Sequence, residues 1–286
     1  MTSTQKDALF ILVKSLSKSE KRQFKLYVGR LGVNADAKFL ALFNLMDKMR
    51  TYREEAILES GIVKKSQLSN LKAHLYKQIL ISLRLNPGNQ NVRVQIREQL
   101  DFATILYQKG LYKQSLKILD KAKGVAIANE EKNIAYEIVE LEKVIETQYI
   151  TRSLPDRAGE LSRESQWLSE MNSIASKLSN LSLELYGMML KMGYVRNDAD
   201  YRRVTEFFNT NLPEHNLIKM GFREKLWLYK THLWYSFLTH DFLYFYKYAS
   251  KWVDLFHENP DMIKLNPVFF LKGNNYLLES LFYIKY

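Results

Sequence analysis

The stretch Gly110-Leu-Tyr-Lys-Gln-Ser-Leu-Lys-Ile-Leu-Asp-Lys-Ala122 contains the clearest structural signal in this chain. Gly110 stands where a tight turn between two helices requires a residue without a Cβ atom, and Tyr112 follows it at the position that covers such a turn. Small residues, Ser115 and Ala122, recur where two helices must approach closely. The spacing therefore predicts two antiparallel helices joined at Gly110. One such pair cannot bury its apolar face alone, so we expect further helices to stack against it.

The composition favours helices throughout. The 286 residues are 47% hydrophobic but include only 11 glycines and 5 prolines, too few for the turns of an all-β fold or for glycine-rich nucleotide loops. The chain has no cysteine, which excludes disulfides, thiolate metal ligands and cysteine nucleophiles. Its first residues lack a signal-peptide pattern, and charged residues interrupt its most apolar region, 226–256. We therefore expect a soluble, cytoplasmic protein without a membrane span.

The charge is concentrated in the first third of the chain. Residues 1–100 contain 18 Lys and Arg against 8 Asp and Glu, whereas residues 101–286 contain 24 against 23. A Pro-Gly break at 86–89 coincides with the fall in charge. We therefore predict a basic helical N-terminal subdomain, 1–88, and a helical repeat region, 89–286.

Apolar periodicity and capping signals indicate the individual helices. Ser17 with Glu20, and Thr51 with Glu54, have the spacing of capping boxes at helix starts. Beyond the subdomain boundary, the pattern predicts helices over 94–108, 112–129, 131–152, 155–171 and 174–196. The last residues, 274–286, form an apolar helical pattern without a cap. We therefore expect either that the repeats continue beyond the end of the chain or that the last helix associates with a second copy.

The segment 99–133 resembles a tetratricopeptide repeat (TPR). The residues that carry the resemblance are Ala103, Leu106, Gly110, Tyr112, Ser115, Leu119 and Ala122. Two weaker copies align Ala199 and His240 with the turn glycine, at intervals longer than the usual period. The resemblance implies an all-α fold, an irregular TPR-like α-solenoid of stacked antiparallel helix pairs. Residues 15–27 and 76–84 are also similar to a family of mostly Bacteroidetes repeat proteins, a likeness that implies no established activity.

The TPR resemblance also implies which residues line a partner-binding groove. Transferred position by position, they are Arg97, Thr104, Tyr107, Gln108, Tyr186, Met189, Arg196, Asn197, Lys230, Trp234 and Phe237. Solvated surface is the alternative role for the polar members, and core packing for the aromatic ones. The first hypothesis is thus a non-enzymatic scaffold that binds a peptide or partner protein in its concave groove. We expect Trp234 and Phe237 to anchor the partner, with Lys230 and Arg196 orienting an acidic or C-terminal group.

The second hypothesis is a regulator that binds nucleic acid through its N-terminal helices and uses the repeats as a sensor. A short helical pattern, a turn at Gly61 and a second helix that opens with lysines are typical of a DNA-reading element. The candidate contacts are Lys18, Lys21, Arg22, Lys25, Lys64, Lys65 and Lys72. Glu54, Glu55 and Glu59 would repel phosphate, and an ordinary solvated basic surface is the alternative explanation of the lysines.

No catalytic motif occurs in the sequence. The five histidines form neither H-x-x-x-H nor H-E-x-x-H, and no glycine-rich phosphate loop or G-x-S-x-G is present. Adjacent glutamates at predicted helix starts are explained by the helix dipole. We therefore predict no enzymatic activity, no cofactor and no metal.

Overall fold

The computed structural model describes residues 7–30, 36–86, 91–148, 156–214 and 216–284, and helix is the only regular secondary structure within those ranges. In chain order the helices are α1 (Ala8–Ser15), α2 (Lys18–Gly29), α3 (Asp36–Lys48), α4 (Glu54–Glu59), α5 (Lys65–Leu85), α6 (Val92–Gln108), α7 (Tyr112–Ala128), α8 (Lys132–Gln148), α9 (Arg157–Met192), α10 (Asp198–Asn211), α11 (Phe222–Leu238), α12 (Phe242–Glu258), α13 (Pro260–Leu265) and α14 (Pro267–Tyr283). The predicted all-α class is therefore confirmed for the described residues. Among these helices, none has both the length and the apolar character of a membrane span.

The chain divides into two compact units, Met1–Gln95 and Ile96–Tyr286. In the first unit, α1, α2, α3 and α5 pack around a core that includes Phe24, Phe43 and Ile79. In the second unit, contacts follow chain order: α7 packs on α8, α8 on α9, α9 on α11, α11 on α12, and α12 on α14. Packing between successive helices is typical of repeat proteins. The TPR-like solenoid stays a prediction.

Capping decides where the early helices begin. Ser17 and Glu20 form the predicted capping box: the Glu20 amide donates to Ser17 Oγ (3.2 Å), and the Ser17 amide donates to Glu20 Oε2 (2.8 Å). The box predicted at Thr51 and Glu54 is wrong, because α4 begins at Glu54 and its N-cap is Arg53. A carboxylate at the first helical position cannot take the role that a capping box assigns to the third position.

The predicted turn at Gly110 is present between α6 and α7. Gly110 has φ +74°, in the left-handed region that favours a residue without a Cβ atom. The Leu111 amide donates to the Leu106 carbonyl (2.9 Å), which closes the end of α6. Just beyond the turn, Ser115 Oγ donates to the Ala103 carbonyl (2.7 Å), so the two helices approach at the small residues, as the spacing predicts.

The same turn recurs without glycine. His240 has φ 58°, and the Asp241 amide donates to the Ser236 carbonyl (3.0 Å), as at the end of α6. The third, weaker repeat copy therefore has the turn that its alignment predicts. The second copy is wrong at this position, because Ala199 lies inside α10 rather than in a turn. Its neighbouring left-handed residue is Gly193, which follows α9.

Helix α9 corrects the prediction of two helices over 155–171 and 174–196. It runs unbroken through 36 residues, about 54 Å at the usual rise. Asn172, which the pattern left between the predicted helices, uses its side chain in tertiary contacts. It donates to the Lys132 carbonyl (3.3 Å) and accepts from the Arg223 guanidinium (2.7 Å). Its polar side chain therefore joins α9 to α8 and α11 and does not end a helix.

Helix α14 has two apolar faces. Its inner face packs on α12 at Gly273, where an added Cβ would lie 2.7 Å from an atom of the Trp252 ring, and the Trp252 indole donates to the Phe269 carbonyl (3.1 Å). Its outer face exposes four large apolar side chains with Asn275 midway between them. They are Val268, Leu271, Leu278 and Phe282.

Candidate partner-binding surface

The first group of predicted groove residues lies on α6: Arg97, Thr104, Tyr107 and Gln108. Tyr107 joins α6 to α8, because its hydroxyl donates to Gln148 Oε1 (3.1 Å). The exposed Arg97 guanidinium lies 3.7 Å from the Glu137 carboxylate of α8. The Thr104 hydroxyl donates to a carbonyl of its own helix, and Gln108 is exposed. The Tyr107 ring centroid also lies 5.9 Å from that of Tyr112 on α7, so the neighbours of these side chains are on α6, α7 and α8.

The predicted residues of α9 and α11 come together. The ring centroids of Tyr186 and Trp234 lie 4.9 Å apart, and those of Trp234 and Phe237 lie 5.9 Å apart. Met189 and Trp234 both pack against the buried cluster that includes Leu181. Two predicted groups that are distant in sequence therefore form one continuous aromatic face.

Two further predicted residues, Arg196 and Asn197, follow α9. Asn197 is the N-cap of α10, and its side chain accepts a hydrogen bond from the Asp200 amide (2.9 Å). This capping bond gives Asn197 a structural role that requires no binding partner. Arg196 is exposed, beside a loop that is held to the end of α11 by a hydrogen bond from the Val195 amide to the Leu238 carbonyl (3.1 Å).

Sequence reasoning missed the contribution of α14. The Tyr276 ring centroid lies 6.1 Å from that of Trp234, and the Tyr283 centroid lies 6.2 Å from that of Phe237. We call the combined set the aromatic surface. It consists of Tyr186, Trp234, Phe237, Tyr276 and Tyr283.

A sequence signal for this contribution exists. Trp227 faces Phe269, with their centroids 6.3 Å apart, and Trp234 faces Tyr276. Both pairs are 42 positions apart in the chain. An equal offset in both pairs means that α11 and α14 run parallel in a fixed register. The aromatic interval of seven residues in each helix is the sequence signal of this register, and the 42-residue offset differs from the usual 34-residue repeat period.

The aromatic surface is accessible but held in place. Tyr186 is 40% exposed and Tyr283 is 37% exposed, whereas the other three rings are half-buried. Burial and the nearby Glu279 carboxylate raise the pKa of the Tyr276 hydroxyl. The phenol therefore stays neutral at physiological pH and offers both a ring face and a hydroxyl group to a partner.

Lys230 lies on α11, one turn before Trp234. Its side chain is half-buried, and its Nζ lies 4.6 Å from the centroid of the Trp227 ring and 5.9 Å from that of Phe269. Among the described residues, no carboxylate or hydrogen-bond acceptor pairs with this ammonium group. Burial, together with the charge of Lys272 on α14, lowers the pKa of Lys230.

Two other buried lysines of this unit have carboxylate partners. Lys132 Nζ lies 2.5 Å from Glu224 Oε2 and 2.6 Å from Glu130 Oε2. Lys123 Nζ lies 2.7 Å from a Glu142 carboxylate oxygen and 2.9 Å from one of Glu164. These pairs tie α7 and α8 to their neighbours. Their geometry assigns them a structural role.

The predicted nucleic-acid contacts are only partly free of internal partners. Lys18, Lys21, Arg22 and Lys25 line one shallow hollow on α2. Lys21 pairs with the Asp47 carboxylate (2.7 Å), and Lys72 pairs with Asp7. Burial opposes the charge of Lys72, but the bonds to Asp7 and the Tyr52 hydroxyl raise its pKa overall. Lys64 caps α5 and Lys65 is its first residue, both exposed.

Neither metal chemistry nor similarity to known proteins assigns a function. Within the described ranges, no group of three or more histidine and carboxylate side chains could hold a metal ion. His232 instead stacks on the Tyr248 ring, with centroids 4.2 Å apart and planes inclined by 7°. Comparison with known proteins found no matching family model, no significantly similar curated protein and no significantly similar solved structure.

Proposed function

We propose that this protein is a non-enzymatic interaction protein that binds a segment of a partner protein across the aromatic surface. The observation that carries the proposal is the row of partly exposed rings that α9, α11 and α14 hold side by side. Tyrosine and tryptophan are enriched at interaction hot spots because a large rigid ring buries area with little loss of conformational entropy. The TPR-like solenoid is the architecture that this proposal assumes.

The rings are arranged before any partner binds. Trp234 packs against the buried Leu181 cluster and also contacts the rings of Tyr186 and Tyr276. A preorganised surface loses less entropy on association than flexible side chains would. The same packing makes Trp234 a poor first choice for mutation, because its removal would also disturb the core. Tyr186, which is more exposed, separates binding from stability.

The test begins with a photo-cross-linking amino acid at position 186 in the full chain, expressed in the native cell. Position 201, an exposed tyrosine on α10, is the matched control. We expect a discrete adduct at 186 that is absent at 201. Once the adduct has identified the partner, Tyr186→Ala should weaken binding to that partner by more than about 1 kcal/mol while leaving the thermal midpoint of this chain nearly unchanged. Unchanged affinity after both Tyr186→Ala and Phe237→Ala would contradict the proposal.

For the outer face of α14 we propose a second copy of this chain. Val268, Leu271, Asn275, Leu278 and Phe282 follow the 3-4-3-4 spacing of a coiled-coil seam, and a central polar residue is a known device for setting register. The order is nearly symmetric about Asn275, so an antiparallel pair would place Val268 near Phe282 and Leu271 near Leu278. Such self-complementarity is what a two-fold interface requires.

Sedimentation velocity tests this pairing. The wild-type chain should show a concentration-dependent dimer, and the double variant Leu271→Lys with Leu278→Lys should sediment as a monomer. Lys113→Glu with Lys117→Glu, which changes charge on α7, is the control and should leave the dimer intact. A wild-type monomer at high micromolar concentration would contradict the pairing.

A further inference from the structure

Lys230 combines features that fold stability does not explain. Its ammonium group is half-buried between α11 and α14, and it packs against the rings of Trp227 and Phe269. Burial removes water from a charged group, which is unfavourable unless another group compensates. The two rings compensate in part, since a cation is attracted to an aromatic face. No carboxylate of the described residues supplies the rest.

A second cation stands beside the first. Lys272 occupies α14 at the same 42-residue offset that relates Trp227 to Phe269, so the register places it next to Lys230. Lys272 is exposed, and its positive charge acts unfavourably on Lys230. Two neighbouring lysines with apolar rings around one of them form a local positive field that an anionic group would reduce.

We propose that Lys230 and Lys272 bind a carboxylate side chain of the partner, so that the partner segment is acidic at this end of the aromatic surface. This inference rests on the proposed function, because the carboxylate would belong to the same segment that covers Trp234. The alternatives of a phosphorylated side chain and of an uncharged segment are outcomes of the experiment below.

The geometry also sets the spacing within the partner segment. Lys230 and Trp234 are separated by one helical turn, about 6 Å along α11. An extended peptide advances about 3.3 Å per residue. The carboxylate residue should therefore lie two positions from the large apolar residue that contacts Trp234, with the two side chains on the same side of the strand.

A positional-scanning array of blocked octapeptides, probed with the full-length chain, tests this directly. Each peptide has a fixed leucine and, two positions away, glutamate, glutamine or phosphoserine. We expect the glutamate peptides to be retained at least tenfold more strongly than the glutamine peptides. Lys230→Met and Lys272→Met should each remove this preference. Lys230→Arg, which keeps the positive charge, should retain most of it. Lys247→Met, which removes an exposed lysine from α12, is the matched control and should change nothing.

A second readout follows the lysine itself. Nuclear magnetic resonance of ¹³C-labelled lysine, assigned through Lys230→Met, should show the pKa of Lys230 rising when the best glutamate peptide saturates the chain. Because the folded protein remains intact, this readout separates ligand binding from any effect of the variants on stability. Inorganic phosphate serves as the free-anion control and should cause a smaller rise.

The outcomes distinguish the carboxylate site from the aromatic surface on which it rests. Equal retention of glutamate and glutamine peptides, with both lost in Tyr186→Ala, would overturn the carboxylate site and leave the aromatic surface as the binding region. A phosphoserine preference, or a pKa of Lys230 that rises with phosphate but not with the glutamate peptide, would overturn the carboxylate in favour of a phosphoryl group. Failure to retain any peptide would overturn both the carboxylate site and the aromatic surface as a binding region.

Discussion

Lys132, where α8 meets α11, is buried, and Lys230, between α11 and α14, is half-buried, yet the two lysines differ in their partners. Lys132 donates to Glu224 and Glu130, whereas Lys230 lies against two aromatic rings and is repelled by the charge of Lys272. The charge of a buried cation that is paired with carboxylates is compensated within the chain. A buried cation without them is more stable when an external anion arrives. Burial alone therefore does not distinguish a structural charge from a binding charge; the partners do.

Lys123 extends the comparison within the second unit. Burial alone would lower its pKa, but hydrogen bonds to Glu142 and Glu164 raise the pKa overall, opposite to the direction at Lys230. Arg157 also approaches Glu142, with 3.3 Å between guanidinium nitrogen and carboxylate oxygen. The cluster links α7, α8 and α9, so its charges belong to the packing of the helices.

The largest effect is expected from breaking the structural cluster at α8 and α11. Glu224 is fully buried, accepts from Lys132, and also accepts from the Gly221 amide at the start of α11. Glu224→Ala should lower the free energy of unfolding by about 3 kcal/mol, because it leaves a buried lysine with one carboxylate fewer and removes a helix cap. Urea denaturation measures the change.

Two further variants sharpen that measurement. Glu137→Ala removes a carboxylate from the exposed pair with Arg97 and should change stability by less than about 0.5 kcal/mol. Glu224→Leu combined with Lys132→Met should be less destabilising than Glu224→Ala, since the buried lysine is removed together with its fully buried carboxylate partner. If Glu224→Ala lowers the free energy of unfolding by less than about 1 kcal/mol, the pairing of Lys132 with Glu224 does not have the structural role assigned to it.

A smaller effect, with a definite sign, is expected when pH is raised. The folded pKa of Lys230 lies below its ordinary value of 10.5, so the folded chain binds fewer protons than the unfolded chain between those two values. Stability from this group therefore rises with pH across that window. The folded pKa of Lys123 lies above 10.5, so its contribution is complete below that pH and is lost as pH rises through the folded pKa.

Urea unfolding at pH 7, 9 and 10.5 measures how the free energy of unfolding changes with pH for variants of each lysine. Lys230→Met should be stabilising relative to the wild type at pH 7, and the gain should shrink towards pH 10.5. Lys123→Met should be destabilising at pH 7, with no such shrinkage before pH 10.5. The same sign of change for both variants at pH 7 would break the comparison, because the two lysines would then be equivalent.

The smallest effect concerns the N-terminal unit, where lysines with and without internal carboxylates also occur. If the chain binds duplex DNA, Lys64→Ala and Lys65→Ala should each reduce the slope of log K against log salt by about 1, because each lysine would otherwise neutralise one phosphate. Lys72→Ala should leave the slope unchanged, since Asp7 already pairs with this lysine. We expect weak, non-specific binding at most. Sequence-selective binding at physiological salt would favour the nucleic-acid hypothesis instead.

The amino-acid sequence by itself determined the features that depend on neighbouring residues. Gly110 specifies its turn because only a residue without a Cβ atom adopts that φ freely, and Ser17 with Glu20 caps α2 through bonds three residues apart. The aromatic face of α9 and α11 was also predictable in part, since Tyr186, Trp234 and Phe237 followed from the TPR resemblance.

Only the tertiary structure decided the features that depend on distant residues. Asn172 lies within a continuous helix because Lys132 and Arg223, 40 and 51 positions away, engage its side chain. His240 adopts a left-handed conformation that is uncommon for residues other than glycine, because the packing of α11 on α12 requires the chain to reverse there. Glu224 lies 92 positions from Lys132 and Phe269 lies on a different helix from Lys230, so the sequence alone shows neither contact. Whether a buried charge is satisfied is a property of the folded neighbourhood, so the sequence indicated Lys230 as a candidate while the fold distinguished it from Lys132.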